Sequence, residues 1–423
     1  MIYKTYKCNS FNVHTIKTDK FKTSHMEIVF RKSVVKEELG AYSFLLDMLS
    51  ETSKNYPKRQ DLIVRLEELY KTSIYGLTTK TGNLLNASLI VDFINPDLIE
   101  EENYLENVLK LPFELLQHPN VVNEEFDLKQ FSIIKERIKR EINSIKDNSF
   151  KLAIGNAFKA MDESSPTSYS ILGTIEQLDK ITPASLYKTY KNLFKKCVCD
   201  IYIIGNLDMD EVVSLIKKYF KHRYINNDIF NLDVDNHFRK KEIIKTEKSE
   251  NIQANMVVIY NIDALSEEEK HVTFQVFNYI FGNGGLTSKL YKQIREENSL
   301  CYSINSLYMK YDKLLVIHVS LDNKNTKKAV SLIKKCLKDM ISGDFSLEEL
   351  EDAKMNLIMS LDLANDNNVA ILNNYVFNYL DNLPEIDKRK EMLKQVSKED
   401  VIRVAKKLKI NTVYVLEGGG ENA

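Results

Sequence analysis

Apolar and polar residues alternate over positions 12–18 and 25–31, and a period of two predicts two strands. Over positions 40–50 the period lengthens. Phe44, Leu45, Met48 and Leu49 then share one face of a helix. A second helical pattern covers about 59–71. Strand patterns return at 74–81 and 87–93, and the turn residues Gly82 and Asn83 between them predict an antiparallel hairpin. Long helical patterns fill roughly 103–117 and 124–160. Thr182 followed by Pro183 marks another helix start, because proline suits the first helical position. A strand over 198–204 stops at Gly205, and a helix runs to about Phe220.

From 222 to about 251 the composition shifts to Asn, Asp, Lys and His without a long periodic pattern, which predicts an interdomain connection. The order of elements then repeats. A strand at 255–260 precedes a helix opened by Ser266 with Glu269 three residues on, a capping box. A glycine turn and a second helix follow, then strands at 300–309 and 313–321. Helices occupy about 326–341 and the stretch from Ser346/Glu349 to Leu408, and a last strand covers 412–416. Residues 72–76 (TSIYG) are echoed by 298–303 (NSLCYS), about 227 positions later, and 201–205 (IYIIG) by 413–416 (VYVL). The second echo follows a helix capped by Thr182 or Ser397 in each copy. Two ordered echoes predict an α+β protein of two similar domains, each about 200 residues. The expected division is 1–220, a linker at 221–251, and 252–423.

Composition narrows the function. Apolar residues make up 43% of the 423, enough for well-packed interiors, and the length suggests at least two cores. Lys and Arg number 59 against 60 Asp and Glu. That balance argues against a nucleic-acid binder, which carries a basic excess. Runs such as 239–242 (RKKE) read as solvated surface. The five cysteines (Cys8, Cys197, Cys199, Cys301, Cys336) are odd in number and form no disulfide or zinc pattern. Reduced thiols, no apolar signal core and no apolar run of about 20 residues predict a cytoplasmic protein that does not span a membrane. None of the seven histidines lies three to five residues from another, and His318, inside the apolar run 314–319, reads as a hydrogen-bonded strand histidine. Neither a Ser or Cys nucleophile motif, a phosphate loop nor a dinucleotide fingerprint is present.

The densest motif is 281–303, FGNGGLTSKLYKQIREENSLCYS. The turn Gly282, Gly284 and Gly285 leads into a helix carrying Arg295, and a strand carrying Tyr302 follows seven residues later. This stretch resembles the second-half signature of the pitrilysin/insulinase family of zinc peptidases. The resemblance extends, more softly, over the whole chain through 40–48 and 137–147. It implies the fold of LuxS and the mitochondrial processing peptidases: two homologous domains, each an antiparallel sheet with helices packed on it. It also implies that the glycine loop borders a reaction chamber and that Arg295 and Tyr302 contact a substrate carbonyl. An arginine and a tyrosine can supply donors to an oxyanion in a dry site.

The same family carries an inverted zinc motif, H-x-x-E-H, whose residues share one helix face and hold Zn²⁺ with a glutamate to activate water. Where the resemblance places that motif, this chain has Ser43, Leu46 and Asp47. A leucine is no general base, and one aspartate with one hydroxyl is a poor zinc set. Glu141 stands at the place of the family's third ligand and reads as a relic or as an ordinary surface acid of a charged helix. The resemblance therefore implies a chain that binds no zinc and is inactive alone. Its expected partner is a zinc-bearing paralogue in a heterodimer, with a homodimer as the alternative. Together they would form a processing metallopeptidase acting on peptides. Bacterial chains of this kind have been linked to modification of translation elongation factor P and to peptide maturation. A non-catalytic peptide- or protein-binding scaffold of the same fold is the second expectation.

Overall fold

The computed structural model describes residues 1–225, 228–250 and 253–419. Contacts divide the chain into two compact units. The first comprises Met1–Asn143, Ser170–Asn231 and Asn367–Val376. The second comprises Ser144–Tyr169, Leu232–Asp366 and the chain from Phe377 onward.

The first unit is built on strands β1 (Ile2–Lys7), β2 (Asn12–Lys17), β3 (Thr23–Ser33), β4 (Ser73–Thr81), β5 (Leu84–Ile94) and β8 (Val198–Gly205). A small hairpin, β6 (Val121–Val122) and β7 (Glu125–Phe126), stands apart. The sheet order is β1-β2-β8-β3-β5-β4. In the second unit β9 (Ile243–Lys248), β10 (Ala254–Ile262), β11 (Cys301–Met309), β12 (Leu314–Leu321) and β13 (Leu408–Glu417) form a sheet of order β11-β12-β10-β13-β9. Followed from the hairpin edge, β4-β5-β3-β8-β2 and β11-β12-β10-β13-β9 match pair by pair. Each has three antiparallel pairings and then one parallel pairing, β8 with β2 and β13 with β9. The two units are copies of one α+β plan, with β1 added to the first. Residues 243–248, expected as linker, supply the opening strand of the second copy. Its sequence IIKTEK, half exposed on a sheet edge, carries little apolar period to announce it.

Helix α1 (Leu39–Glu51) packs on β4 and β5 with Phe44, Leu45, Leu46, Met48 and Leu49 at most 1% exposed. Each such side chain contributes about 1.5–3 kcal/mol, so this helix anchors the first core. α2 (Arg59–Glu68) and α3 (Tyr104–Gln117) follow. The long helix expected over 124–160 is two: α4 (Leu128–Ser144) and α5 (Ser149–Asp162), separated by a tight turn, Ile145–Asp147. Asn148 ends the run by accepting a hydrogen bond from Lys151 N at 2.9 Å, an N-cap that starts α5. α5 belongs to the second unit. Its small residues Ala153 and Ala157, with Met161, sit on Val257, Ile259, Val316 and Tyr414 of the second sheet. In the same unit Ser266 and Glu269 form the expected capping box. The helix they open runs from Glu269 to Asn283, with wide π-type turns (Glu269–Thr273, Tyr279–Asn283) on either side of a regular segment, Phe274–Asn278. Among the described residues no helix is long and apolar enough to cross a membrane.

Candidate functional site

In the first unit the degenerate motif lies on α1. The Ser43 hydroxyl donates to Ile171 O at 2.8 Å and is committed to the fold. Leu46 is buried against β4, where Gly76 leaves it room: a Cβ on Gly76 would stand 2.7 Å from Leu46 Cβ and 2.8 Å from its backbone. Asp47 faces a cavity of about 350 Å³ that Glu51, Arg59, Tyr75, Arg137 and Glu141 also line. Arg137 is the centre of this arrangement. Its guanidinium lies 3.0 Å from Asp47 Oδ2 and also pairs with Glu51 Oε1. Glu51 accepts a further bond from Gln130 Nε2 at 2.7 Å, with Arg59 at 3.8 Å.

The electrostatics follow from this geometry. Burial raises the Asp47 carboxyl above its ordinary range, Arg137 pulls it back, and the neighbouring Glu51 and Glu141 push it up again. Arg137 is held charged: burial opposes, but Glu51 and Asp47 outweigh it. These residues do not fit zinc. The set offers no imidazole and no thiolate, and a guanidinium already supplies the positive charge that two of its carboxylates need. Arg137 and Glu51 were not singled out by the sequence. Their signal was present as spacing, since Asp47/Glu51 and Arg137/Glu141 are i, i+4 pairs on two helices. Which helix faces which is tertiary information.

In the second unit the glycine turn closes the helix Glu269–Asn283. A Cβ on Gly282 would meet Ser306 Oγ at 2.5 Å and Leu290 Cδ1 at 2.8 Å, so the helix lies directly on β11. Ser306 also donates to Asn278 Oδ1 at 2.6 Å across this contact. Gly284 has no room for a Cβ against Tyr279 O, 2.6 Å away. Gly285 has φ +61, the left-handed region that glycine enters without strain, and open space beside it. Arg295 lies on the wide turn Lys292–Glu296, is exposed, and rests over the Tyr291 ring at 5.1 Å. Among the described residues no carboxylate pairs with it. Ser299, at φ 52, reverses the chain, and Leu300 N donates to Ile294 O at 3.0 Å, which sets β11 beside the Arg295 turn. Tyr302 on β11 is 52% exposed and its hydroxyl donates to Asp322 Oδ1 at 3.0 Å, a bond that raises its pKa. Among the described residues β11 is an edge strand, paired only with β12.

A second titratable cluster, Glu267, His271 and Asp381, brings three possible ligand atoms within 4.8 Å of one another. Lysines already occupy it: Lys310 Nζ is 3.2 Å from His271 Nδ1, and Lys270 Nζ is 3.1 Å from Asp381 Oδ1. The cysteines are free, with all but Cys8 buried. His318 bonds Asn255 Oδ1 through Nε2 at 2.8 Å, as a strand histidine should.

Comparison with known proteins agrees with this plan. Residues 180–357 match the family model described as the peptidase M16 inactive domain. The chain is 28% identical, over 97% of both chains, to a "probable inactive metalloprotease", YmfF, of Bacillus subtilis. It is 22% identical to a "non-peptidase homolog", YmxG, of Helicobacter pylori, covering 89% of this chain and 83% of that one. The solved structure of a conserved protein from Enterococcus faecalis superposes with a TM-score of 0.93 over the whole of both chains at 24% identity. Two copies of one α+β plan and the match of residues 180–357 to the peptidase M16 inactive domain make the chain similar to the inactive members of the pitrilysin/insulinase (M16) family of peptidases.

Proposed function

We propose that this chain is the zinc-free subunit of a two-chain processing peptidase, lending Arg295, Tyr302 and the glycine loop to a peptide held at the zinc of a family paralogue. The observation that carries this reading is the freedom of β11. It is an edge strand whose backbone can take up an extended peptide as an added strand. Tyr302 on that strand and Arg295 on the turn beside it are both exposed. Neither holds the core together, which suits donors that await a carbonyl oxygen gaining charge. Gly282 lets Ser306 and Leu290 pack closely, Gly284 lets the chain approach Tyr279 O, and Gly285 supplies the left-handed turn. In this reading the substrate is an unstructured peptide, the partner a heterodimeric zinc subunit, and the compartment the cytoplasm, where buried free thiols persist.

Removing one oxyanion donor costs on the order of 100- to 1,000-fold in rate, or roughly 3–4 kcal/mol. Co-expression with a zinc-bearing relative should yield a complex that cleaves peptide. In that complex Tyr302→Phe should cut cleavage at least about tenfold while association and melting stay unchanged. Cleavage at the wild-type rate by Arg295→Ala/Tyr302→Phe would refute the trans role. A second reading, a non-catalytic peptide-binding scaffold, is favoured by one observation: the cavity beside α1 is lined by the ion-paired Arg137–Asp47–Glu51 group and not by a set of metal ligands. Peptide binding by the chain without any co-purifying zinc relative would decide for it.

A further inference from the structure

Lys310, the first residue after β11, stands at the head of a chain of groups ordered as nucleophile, base and orienting acid. Its Nζ is 3.2 Å from His271 Nδ1. His271 Nε2 lies 3.2 Å from Glu267 Oε2 and 3.5 Å from Asp381 Oδ2, and that same Oδ2 is 3.5 Å from Lys310 Nζ. Carboxylates only accept, so they keep the hydrogen on Nε2 and turn the Nδ1 lone pair toward the amine. An amine whose base is held in one tautomer by a third group has the geometry of an activated nucleophile.

The surroundings favour the neutral amine. Burial lowers Lys310 to about 8; Asp381 opposes this, and the cations Lys270 and Arg389 add to it. Burial likewise lowers His271, with Lys310 the next cause, Asp381 and Glu267 opposing and Lys270 adding. Asp381 is shared, since Tyr311 Oη donates to its Oδ2 at 2.8 Å and Lys270 lies 3.1 Å from Oδ1. Asp233 stands 3.6 Å from Lys270 on the same side. Lys310 opens onto a cavity of about 320 Å³ with apolar walls at Phe238, Leu265 and Tyr308, a size suited to a small molecule.

We propose that Lys310 is a reactive amine that condenses with the carbonyl group of a small aldehyde or ketone entering this cavity. The ammonium passes a proton to His271 Nδ1. The freed Nζ pair forms the C–N bond, and the C=O π pair moves to oxygen, which takes the proton back from His271. A second proton moves from nitrogen to that oxygen, the C–O bond breaks, and water leaves. One ammonium and one carbonyl give one protonated imine and one water, with no oxidant or reductant.

The test treats the full chain with propanal and cyanoborohydride at neutral pH and measures alkylation of each lysine by peptide mass spectrometry. Lys310 should react about tenfold or more faster than Lys324, whose side chain is 78% exposed and stands 3.8 Å from Asp322 with no imidazole beside it in that pair. His271→Gln, which keeps a polar side chain, should erase the excess. Glu267→Gln, at a carboxylate 74% exposed and so free of folding consequences, should reduce it severalfold. Equal reactivity of Lys310 and Lys324 overturns the proposal. So does an excess that survives both substitutions, because an ion-pair network without a base would leave the rate untouched.

Discussion

Arg137→Met tests whether a guanidinium has taken over the work of a metal between α1 and α4. The substitution keeps the apolar stem and deletes the charge. Glu51, with only 10% of its side chain exposed, would lose its closest cation and keep Gln130 at 2.7 Å and Arg59 at 3.8 Å. Breaking a fully buried pair costs about 3–5 kcal/mol. Here Arg137 is 37% exposed and Asp47 32%, so water screens part of the interaction. The expected loss falls to about 1.5–3 kcal/mol, between the buried and surface limits. For a unit of this size that is roughly 4–10 °C in Tm. Thermal and urea melts read it directly, and the double variant Arg137→Met/Glu51→Gln should recover about half, because the stranded carboxylate is then neutral. A melt within about 0.5 kcal/mol of the parent, or a double variant weaker than the sum of the singles, would refute the reasoning.

Three further outcomes are expected. His25 is buried between Asp92 at 2.6 Å and Glu27 at 3.1 Å; burial pulls its pKa down, but the two acids win and raise it from 6.5 to about 9. Its contribution, roughly 3 kcal/mol, should be complete below the unfolded value and vanish as pH climbs through the folded one; melts of the parent and of His25→Gln from about pH 6 to about pH 9.5 should therefore converge at the alkaline end. Gly76→Ala should destabilise by about 1–3 kcal/mol in a denaturant melt, since its methyl would press on the backbone of α1. Ala157→Leu on α5 should cost a similar amount, because Ala157 is fully buried against the second sheet and has no space to yield.

Much of the fold was legible because strong local periods coincide with tertiary burial. The hairpin β4–β5, helix α1 and the capped helix after Ser266 could be placed from pattern alone. β9 could not, because IIKTEK is half exposed and draws its regularity from pairing with β13. The break at Asn148 was written in the sequence as a polar cluster, yet the helical period on either side hid it. At the degenerate motif the loss of ligands was visible residue by residue. What replaced them was not, since Arg137 lies about 90 positions from Asp47 and nothing in either helix states that they meet. The wide turns around Phe274–Asn278 likewise come from packing rather than from residue preference.

The glycines Gly76 and Gly282 carry a consequence for how such a chain can change over time. In each half, the distance between the helix and its neighbouring strand is set by a missing side chain. Shape and chemistry are thereby inherited separately. A lineage could exchange residues on α1 while the strand beside it kept its position, and the edges of the sheet would survive the change. Silencing one copy of the machinery thus leaves its outline available for another use.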